Sequence, residues 1–551
     1  MVELVQSAQT VTKSDTVTVN REIEVKLLAE PGKLQSALKL PALAGIALQP
    51  RARTLDTIYY DNKVGALQNA GVALRVRRAY GRHIMTVKFP ASLSAGMFGR
   101  DEIEVRIPSA KPDIEKFGSD VAARIRQIIG QKPSRILNQI PDKPQSERPD
   151  DGIMPAFATV FKRRTGMLID GITRIELALD SGTIEASGKK QSLDEIELEL
   201  KEGNETTLYE LASVLAREGG LRLSPMTKAQ RGSLLATNAS PGACKASVPE
   251  LPPSIVLDDF IAAVINQCLG QFVANWPAAE AGIKPEGVHQ ARVSLRRLRA
   301  MLGLFIKTIP APEFRIFMAE AKQIANAMGP ARDWDVFIEM LKKGPMTVNP
   351  QDKGFQILLA AASERREQSY NNIRKLLSDP VTTCFVLDLR AFAARRGWRY
   401  VLSGAELPVL GEAARTFCSR TMSRLHKKAL RQGKQIAALN IEERHDLRKE
   451  LKRLRYAAEF CSPFFGTNSG LKRYSRAAGR LQDVLGAYND QAVGLGLLDT
   501  LEADTGASRS RESAARAAGI VLGWCARGGA VAGPELKLTW ERFAGTRRFW
   551  S

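Results

Sequence analysis

Charged residues alternate with apolar ones in six short stretches of the first half of the chain, and the charges are of both signs. The charged members are Glu22, Glu24 and Lys26; Arg75 and Arg77; Lys88; Glu102 and Glu104; Lys162 and Arg164; and Glu195, Glu197 and Glu199. Because side chains two positions apart on a β-strand share a face, such strands would line one face of a sheet with carboxylates and cations together. Carboxylates bind divalent metals, and lysine and arginine bind phosphate. The pattern therefore indicates a site for a metal bound to a polyanion.

The alternate positions of these stretches are apolar, as at Ile23 and Val25. Helices predicted near residues 31–40, 112–130 and 207–218 would cover that apolar face. The charged face is then either the solvent side of an open sheet or the interior of a closed one. The residues alone leave both arrangements open.

In a closed sheet, the carboxylates would hold a divalent cation such as Mg²⁺ between the protein and phosphate oxygens. The candidates are Glu22 and Glu24, helped by Glu195, Glu197 or Glu199. The cations would neutralise a triphosphate and the charge that develops as a P–O bond breaks. The sequence contains no evident nucleophile–base pair, so water is the expected attacking group.

The composition favours a cytoplasmic, multidomain protein with a polyanionic partner. The chain has 551 residues, too many for one ordinary core, and a net charge of +21. Aromatic residues make up 6%, which argues against nucleic-acid binding through stacked bases. Six scattered cysteines without a CxxC pair are expected to be reduced and mostly buried. We expect neither a signal peptide nor a membrane span, because the chain has no suitable apolar run.

The domain boundaries follow from a change of pattern. Residues 18–235 read mainly as strands, and residues 236–254 form a linker rich in proline, serine and alanine. Residues 255–530 have helical period throughout and repeat themselves, with halves at about 255–400 and 410–530. The predicted fold is α+β and multidomain: an eight-stranded antiparallel β tunnel with flanking helices, then an all-α bundle built by duplication.

Each helical repeat carries a basic stripe. The two stripes are His289, Arg292, Arg296 and Arg299, and His445, Arg448, Lys452 and Arg455. Leucines and other apolar residues fall on the opposite sides and are predicted to face the bundle core. An arginine-rich helix is often simply a solvated face, but stripes that contain almost no acids and occur twice favour a groove filled by an anion. The histidines lack a second ligand at metal spacing, so anion contact or helix packing is favoured over metal binding.

The ordered set of strands in the first half resembles the CYTH superfamily, the triphosphate tunnel metalloenzymes. Residues 22–26 (EIEVK) are similar to its ExExK signature and residues 195–200 (EIELEL) to its closing ExExE strand. Residues 74–77 and 86–88 resemble its paired basic strands, and residues 224–232 resemble its final lysine-containing turn. Lys162 and Arg164 resemble a later basic strand.

This resemblance implies an eight-stranded tunnel that binds a triphosphate with Mg²⁺ or Mn²⁺. It makes Glu22, Glu24, Glu195 and Glu197 the expected metal ligands and, with Lys26, the catalytic residues. The expected phosphate-binding residues are Lys26, Arg75, Arg77, Lys88, Lys162 and Arg164. Glu102, Glu104 and Glu199 are expected in the tunnel without an assigned role.

The second half resembles the CHAD domain, a conserved-histidine α-helical domain. The carrying residues are His289-x-x-Arg292-x-x-x-Arg296-Arg297-x-Arg299, residues 329–335 (GPARDWD) and the repeats of both. The resemblance implies a helical bundle whose basic stripes, defined above, bind inorganic polyphosphate. Association with polyphosphate granules is therefore a further expectation.

Both resemblances favour hydrolysis of inorganic tripolyphosphate to pyrophosphate and phosphate, with long-chain polyphosphate bound by the helical domain. The alternatives are hydrolysis or cyclisation of thiamine triphosphate or nucleoside triphosphates, and a non-catalytic polyphosphate-binding protein. Intact rows of glutamates argue against the last, because a plain anion binder gains nothing from carboxylates in its groove. The sequence does not indicate the oligomeric state.

Overall fold

The computed structural model of the protein describes residues 18–30, 32–79, 81–90, 100–130, 152–466, 468–502 and 508–550. The described residues divide into two compact units. One lies within Met1–Asn204 and Met226–Ala239, and the other within Glu205–Pro225 and Ser240–Ser551. Among the described helices, none combines the length and the apolar character that a membrane span requires.

The strands of the described ranges are β1 (Thr18–Leu28), β2 (Arg53–Asp61), β3 (Ala73–Ala79), β4 (Arg82–Pro90), β5 (Arg100–Ile107), β6 (Met154–Asp170), β7 (Thr173–Ala186), β8 (Lys189–Glu202) and β9 (Arg222–Leu223). The helices of the same half are α1 (Leu34–Ala37), α2 (Ala66–Asn69), α3 (Ser119–Gly130), α4 (Glu205–Gly219) and α5 (Lys228–Thr237), with 3₁₀ turns at Pro41–Leu43 and Ile114–Phe117. The structure thus has one strand more than the eight predicted, the two-residue β9, which belongs to the second unit.

Strands β1 to β8 form one antiparallel sheet in the order β5-β4-β3-β2-β6-β7-β8-β1. Because β1 pairs with β5 as well as with β8, the sheet closes on itself. The prediction of a closed antiparallel sheet is confirmed, and it settles which of the two arrangements the charged face has. The β7–β8 hairpin shows how local sequence sets the register. Its two turn residues, Ser187 and Gly188, both have positive φ (50° and 75°), the type I′ geometry that suits the twist of paired strands.

The apolar positions of the strands form the outer face of this sheet. Val76, Met85 and Val87 pack with Phe117 and Ile125 in one buried cluster. The helix predicted over residues 112–130 is present in two parts. Gly118, with φ of +92°, separates a 3₁₀ turn from α3. The helix predicted near residues 31–40 is reduced to the four residues of α1.

The described residues of the second unit are helical or in loops apart from β9 and one isolated bridge between Val256 and Ala413. Its further helices are α6 (Leu257–Ala281), α7 (Glu286–Phe305), α8 (Pro312–Ala327), α9 (Gly329–Lys343), α10 (Lys353–Ser378), α11 (Pro380–Ala394), α12 (Ala414–Gln432), α13 (Ile441–Cys461), α14 (Asn468–Glu502) and α15 (Ser508–Ala544). Its 3₁₀ turns are Pro345–Thr347, Gly397–Val401, Leu407–Gly411 and Ser462–Phe465.

The apolar sides of the two repeated helices are buried as predicted. On α7 these residues are Val288, Leu295, Leu298, Met301 and Leu302, and on α13 they are Leu447, Leu451 and Leu454. Helix α4 lies in the sequence range that we predicted to be the first domain, yet it packs against α11 within the helical unit.

Candidate functional site

A cavity of about 400 Å³ in the first unit is lined largely by charged side chains of the closed sheet. We call it the channel. Its charged lining consists of Glu24, Lys26, Arg75, Arg77, Lys88, Glu102, Glu104, Arg163, Glu176, Glu197, Glu199, Lys201 and Lys228. Carboxylates and cations therefore share one cavity.

Glu197 is the centre of the acidic side of the channel. Its Oε1 accepts from Lys26 at 2.6 Å and from Lys228 at 2.8 Å, and its Oε2 accepts from Arg163 at 2.5 Å. Burial alone raises the pKa of this carboxyl, but the three cations together hold it well below its usual value. Glu197 is therefore ionised and held in place from three directions.

Lys228 links three carboxylates at the same place. It begins α5, directly after Thr227, which caps that helix reciprocally with Gln230. Its ammonium lies 2.5 Å from Glu195 and 2.9 Å from Asp180, in addition to its bond to Glu197. Burial lowers the pKa of this ammonium, but the carboxylates raise it well above its usual value.

Glu195 is fully buried, and its Oε1 has no hydrogen-bond partner. A buried carboxylate oxygen without a partner among the described residues is costly, so this atom fits a site that would bind a cation.

Three glutamates lie side by side across adjacent strands of the channel. Glu199 of β8 is the direct cross-strand neighbour of Glu24 of β1 and of Glu176 of β7. Like charges in directly opposite positions are destabilising unless a cation lies among them. Two lysines lie beside these three glutamates. Lys26 contacts Glu24 at 2.6 Å, and Lys201 contacts Glu199 at 2.5 Å.

The donor chemistry of these glutamates fits Mg²⁺ or Mn²⁺, which prefer carboxylate oxygens. Within the described residues, however, no group of three histidine, cysteine, aspartate or glutamate side chains is arranged to hold a metal ion. Of the four predicted ligands, Glu24 lines the channel with Glu197, and Glu195 adjoins them through Lys228. The side chain of Glu22 lies outside the described part of the structure.

The opposite side of the channel is basic. Arg75 and Lys88 each approach Glu102 at 3.0 Å. Arg77 donates to the hydroxyl of Thr57 at 3.4 Å. Repulsion from Arg75, burial and repulsion from Arg163 together lower the pKa of Arg77 to about 10. An arginine whose protonated form is disfavoured marks a place where an anion would be stabilised.

The prediction for β6 was wrong about which alternate residues face the channel: Arg163 does, and Lys162 and Arg164 do not. Lys162 is exposed, and Arg164 donates to the backbone carbonyl of Gln49 at 3.3 Å instead of lining the channel. Arg163 faces the channel, and Phe161 shares its side of the strand and is buried. Three consecutive cations place at least one on each face, so alternation could not choose between the phases. In the structure, residues 157, 159 and 161, which alternate in phase with Arg163, are buried.

Sequence reasoning also missed Asp180 and Lys228. Asp180 is buried and binds Arg163 through both oxygens, at 2.7 and 2.5 Å. Lys228 lies within residues 224–232, the turn that resembled the lysine-containing turn of the CYTH superfamily, so the signal for it was present. Asp180 follows an apolar run on β7, and no pattern distinguished it.

In the helical unit, the two basic stripes approach each other between α7 and α13. Arg296 lies 3.4 Å from the hydroxyl of Tyr456. Burial, Arg453 and Arg296 lower the pKa of Arg299. Arg455 donates to Gln482 at 3.0 Å. Positive charge is therefore concentrated where the helices meet.

The members of each stripe differ in their surroundings. His289 is half-buried, and burial together with nearby arginines lowers its pKa. His445 is exposed, while Arg448 and Lys452 are half-buried. Arg292 donates to the carbonyl of Ala325.

The positive surface extends beyond the predicted stripes. Burial, Arg424, Arg453 and Lys428 lower the pKa of Lys307. Arg424 and Lys428 belong to α12, which precedes the second stripe and was not singled out from the sequence.

The sequence matches the family model of the CYTH domain over residues 20–233 and that of the CHAD domain over residues 263–499. An inorganic triphosphatase of Haemophilus influenzae is 29% identical over 217 residues, which are 39% of this chain and 55% of that protein. The chain thus spans about half the length of this relative. An uncharacterised protein of Mycobacterium tuberculosis is 25% identical over 468 residues, 82% of this chain and 84% of that protein.

Among solved structures, the CHAD domain from the plant Ricinus communis aligns with a TM-score of 0.47 and 25% sequence identity, over 56% of this chain and 98% of that one. The two family matches follow one another along the chain and fall on the closed sheet and on the helical bundle respectively. The chain therefore has a CYTH domain at residues 20–233, followed by a CHAD domain at residues 263–499.

Proposed function

We propose that the channel hydrolyses inorganic tripolyphosphate to pyrophosphate and phosphate with Mg²⁺ or Mn²⁺, and that the helical domain binds long-chain polyphosphate. The observation that carries the proposal is a single cavity lined by both carboxylates and cations, with Glu197 at one place and Arg77 at another. A metal–triphosphate complex carries charges of both signs, and the lining offers groups that match each of them.

The basic side holds the phosphate chain in this scheme. Arg75, Arg77 and Lys88 come from the adjacent strands β3 and β4, so they follow the chain along one wall. As water attacks the terminal phosphorus, the P–O bond to the pyrophosphate leaving group breaks. These cations stabilise the negative charge that accumulates on the leaving oxygens.

The carboxylates of the channel would hold the metal. Glu24, Glu195 and Glu197 would ligate it, with Glu22 as the predicted fourth carboxylate. The metal would polarise the phosphoryl oxygens and neutralise part of their charge. Lys26 and Lys228 help to hold the pKa of Glu197 well below its usual value, so this carboxylate can accept a hydrogen bond that orients the attacking water, whose proton passes to the phosphate products.

The stripes on α7 and α13 support polyphosphate binding by the helical domain. They bring basic side chains together, and burial, followed by repulsion from Arg453 and Arg296, lowers the pKa of Arg299. A flexible polyanion bound along the stripes would reduce the repulsion among these cations. Cytoplasmic residence and association with polyphosphate granules are part of this proposal.

A second cavity favours an alternative substrate. It has about 300 Å³ and shares Tyr59, Ala73 and Ala229 with the channel, and Phe157, which stacks on Tyr59 at 4.5 Å, also lines it. An apolar space beside a phosphate site has the character of a pocket for the organic group of thiamine triphosphate or a nucleoside triphosphate.

The test is phosphate release by the full-length protein with Mg²⁺ from tripolyphosphate, ATP, thiamine triphosphate and long polyphosphate. Glu24→Gln and Glu197→Gln remove carboxylates of the channel, and Glu185→Gln on the rim of β7 is the matched control. Faster release from tripolyphosphate than from ATP, lost in the first two variants alone, is expected. Preference for an organic triphosphate would select the alternative, and metal-independent or absent turnover would leave a polyphosphate-binding protein.

A further inference from the structure

An aromatic pair lies at the boundary between the channel and the second cavity described above. The two spaces share three lining residues, Tyr59, Ala73 and Ala229, which therefore form the wall between them. Phe157 lines the second cavity but not the channel, so it lies behind Tyr59 as seen from the channel. Because alanine side chains are small, the rings of Tyr59 and Phe157 supply most of the volume of this wall. All of these residues belong to the first unit.

The strand register places Tyr59 at this boundary. Its direct cross-strand neighbours on β2 are Arg75 of β3 and Phe157 of β6. Directly opposite residues share a face of the sheet, so the tyrosine lies between an arginine proposed to bind phosphate and an apolar ring. Burial raises the pKa of this phenol, but Arg75, Arg77 and Lys228 together lower it below its usual value. The phenol is therefore close to cations of the channel, while its ring packs on Phe157.

The ring of Phe157 is fixed in place by two elements. It stacks on the ring of Tyr59, with the centroids 4.5 Å apart and an angle of 13° between the planes, and both residues are buried. It also packs on α5 at Gly232, where a β-carbon would lie only 2.1–2.7 Å from its ring atoms. Glycine is unfavourable inside a helix, so its presence in α5 reflects this close approach. The ring thus has little room to move away from Tyr59.

We propose that the Tyr59–Phe157 pair determines the substrate class of the channel, because it closes the second cavity to a bound substrate and so selects inorganic phosphate chains over organic triphosphates. The inference rests on the function proposed above and chooses between its two substrate classes. The second cavity, of about 300 Å³, lies in the size range of small-molecule sites, but a substrate held in the channel could reach it only through the wall. With the wall intact, an organic group remains beside charged side chains, which it would desolvate without offering them hydrogen bonds.

The experiment compares Phe157→Ala with Phe117→Ala in the full-length protein with Mg²⁺. Each variant loses one buried phenylalanine ring of the first unit, but Phe117 belongs to the cluster on the outer face of the sheet and lines neither cavity. In Phe157→Ala we expect kcat/KM for ATP, relative to that for tripolyphosphate, to rise by about tenfold or more, the size of effect that pocket shape has on discrimination. In Phe117→Ala we expect this ratio to change less than about twofold. Phe157→Leu, which ends the stacking but keeps more of the apolar volume, replaces Phe157→Ala if that variant fails to fold, with an expected rise of about threefold.

Calorimetry supplies a readout that does not depend on turnover, since ADP differs from pyrophosphate by its adenosine group. We expect Phe157→Ala to bind ADP at least about fivefold more tightly than the unaltered protein does, with the affinity for pyrophosphate changed less than about twofold. A hydrolysis ratio that stays constant in Phe157→Ala, or that changes equally in Phe117→Ala, would overturn the role of the pair, as would a preference of the unaltered protein for ATP. If the unaltered protein hydrolyses no triphosphate, the proposed function fails by itself, and the calorimetric comparison alone then decides whether the pair closes the second cavity.

Discussion

Arg163 and Glu197 form an ion pair on the wall of the channel, with the guanidinium 2.5 Å from the carboxylate Oε2. One residue belongs to β6 and the other to β8, with β7 between them in the sheet. The same guanidinium binds Asp180 of β7, so a single side chain connects the acidic side of three neighbouring strands. The charge balance at Glu197 therefore depends on an arginine.

Arg163→Gln should impair hydrolysis while Lys162→Gln should not. Loss of the guanidinium leaves Asp180 and Glu197 with less compensating charge, which disturbs the position of Glu197 in the channel. We expect kcat/KM for tripolyphosphate to fall by about 10- to 100-fold, which corresponds to about 1.4–2.8 kcal/mol of transition-state stabilisation. Lys162 is exposed and is the matched control. A larger loss at position 162 than at position 163 would contradict the structure of β6.

Arg77→Met should weaken substrate binding without destabilising the free protein. The lowered pKa of Arg77 means that its positive charge destabilises the folded protein when no anion is bound. The folded form binds its proton less tightly than the unfolded chain does, so at neutral pH this arginine subtracts from stability. We expect a melting temperature equal to or above that of the unaltered protein, with at least about tenfold weaker tripolyphosphate binding by calorimetry. A destabilised variant with unchanged affinity would contradict this interpretation.

Lys228→Met should lower the stability of the protein near neutral pH and make that stability less dependent on acid. The pKa values of Glu197 and Asp180 are lower in the folded protein than in the unfolded chain, where the usual values are 4.5 and 3.8. Their contribution to stability is therefore complete above those usual values and is lost as the pH falls through the lower, folded ones. Without the ammonium both folded pKa values rise towards the usual ones, so the two carboxylates contribute less stability, and the fall in melting temperature with acid should be smaller and should end at a higher pH. Lys190→Met, at an exposed lysine of β8, should leave the profile unchanged.

Gly486→Ala should weaken polyphosphate binding through Arg448. A β-carbon at position 486 would lie 3.2 Å from the guanidinium of Arg448, as one at Gly329 would lie 3.1 Å from that of Arg292. The added methyl displaces the arginine of the basic stripe, and we expect affinity for polyphosphate to fall about 3- to 10-fold, the effect of one moderate charged contact. Gly479→Ala on the same helix meets nothing within 4 Å and is the control. Equal affinities of the two variants by fluorescence anisotropy at one salt concentration would count against the stripe.

Metal removal should separate the two activities. With EDTA present, we expect hydrolysis of tripolyphosphate to fall by at least about 100-fold, since a bound metal contributes several kcal/mol to charge stabilisation. Binding of long polyphosphate should persist, because the basic stripes have no need of a metal. Hydrolysis that continues with the chelator, or polyphosphate binding that disappears with it, would argue against the division of roles between the domains.

The closed sheet and the helical second half could be predicted because they rest on patterns repeated many times. Val87 beside Lys88 and Ile196 beside Glu197 each fix the phase of a strand by placing one residue type on each face. Where three cations follow one another, as at residues 162–164, both phases satisfy the same pattern. The outcome then depends on tertiary contacts, here the bonds of Arg163 to partners on two other strands.

Contacts between residues distant in sequence could not be predicted either, because they also depend on tertiary packing. Asp180 resembles any polar residue at the end of an apolar run until the structure brings it to Lys228. The amphipathic pattern of α4 predicts its helix well, and α4 indeed spans Glu205–Gly219. Nothing in that pattern specifies which apolar surface the helix covers, so its packing on α11 could not be predicted.

The closure of the sheet through β1 has a consequence for folding. The strand that carries Glu24 and Lys26 precedes the other described strands, but it pairs with β5 and with β8, which come later in the chain. Its two partners must be present before it can complete the ring, so closure is a non-local and therefore slow event. A nascent chain that ends before Lys189 has the basic strands β3 and β4 but lacks β8 and with it Glu195, Glu197 and Glu199. The mixed charges of the channel and the closed sheet thus arise in the same step.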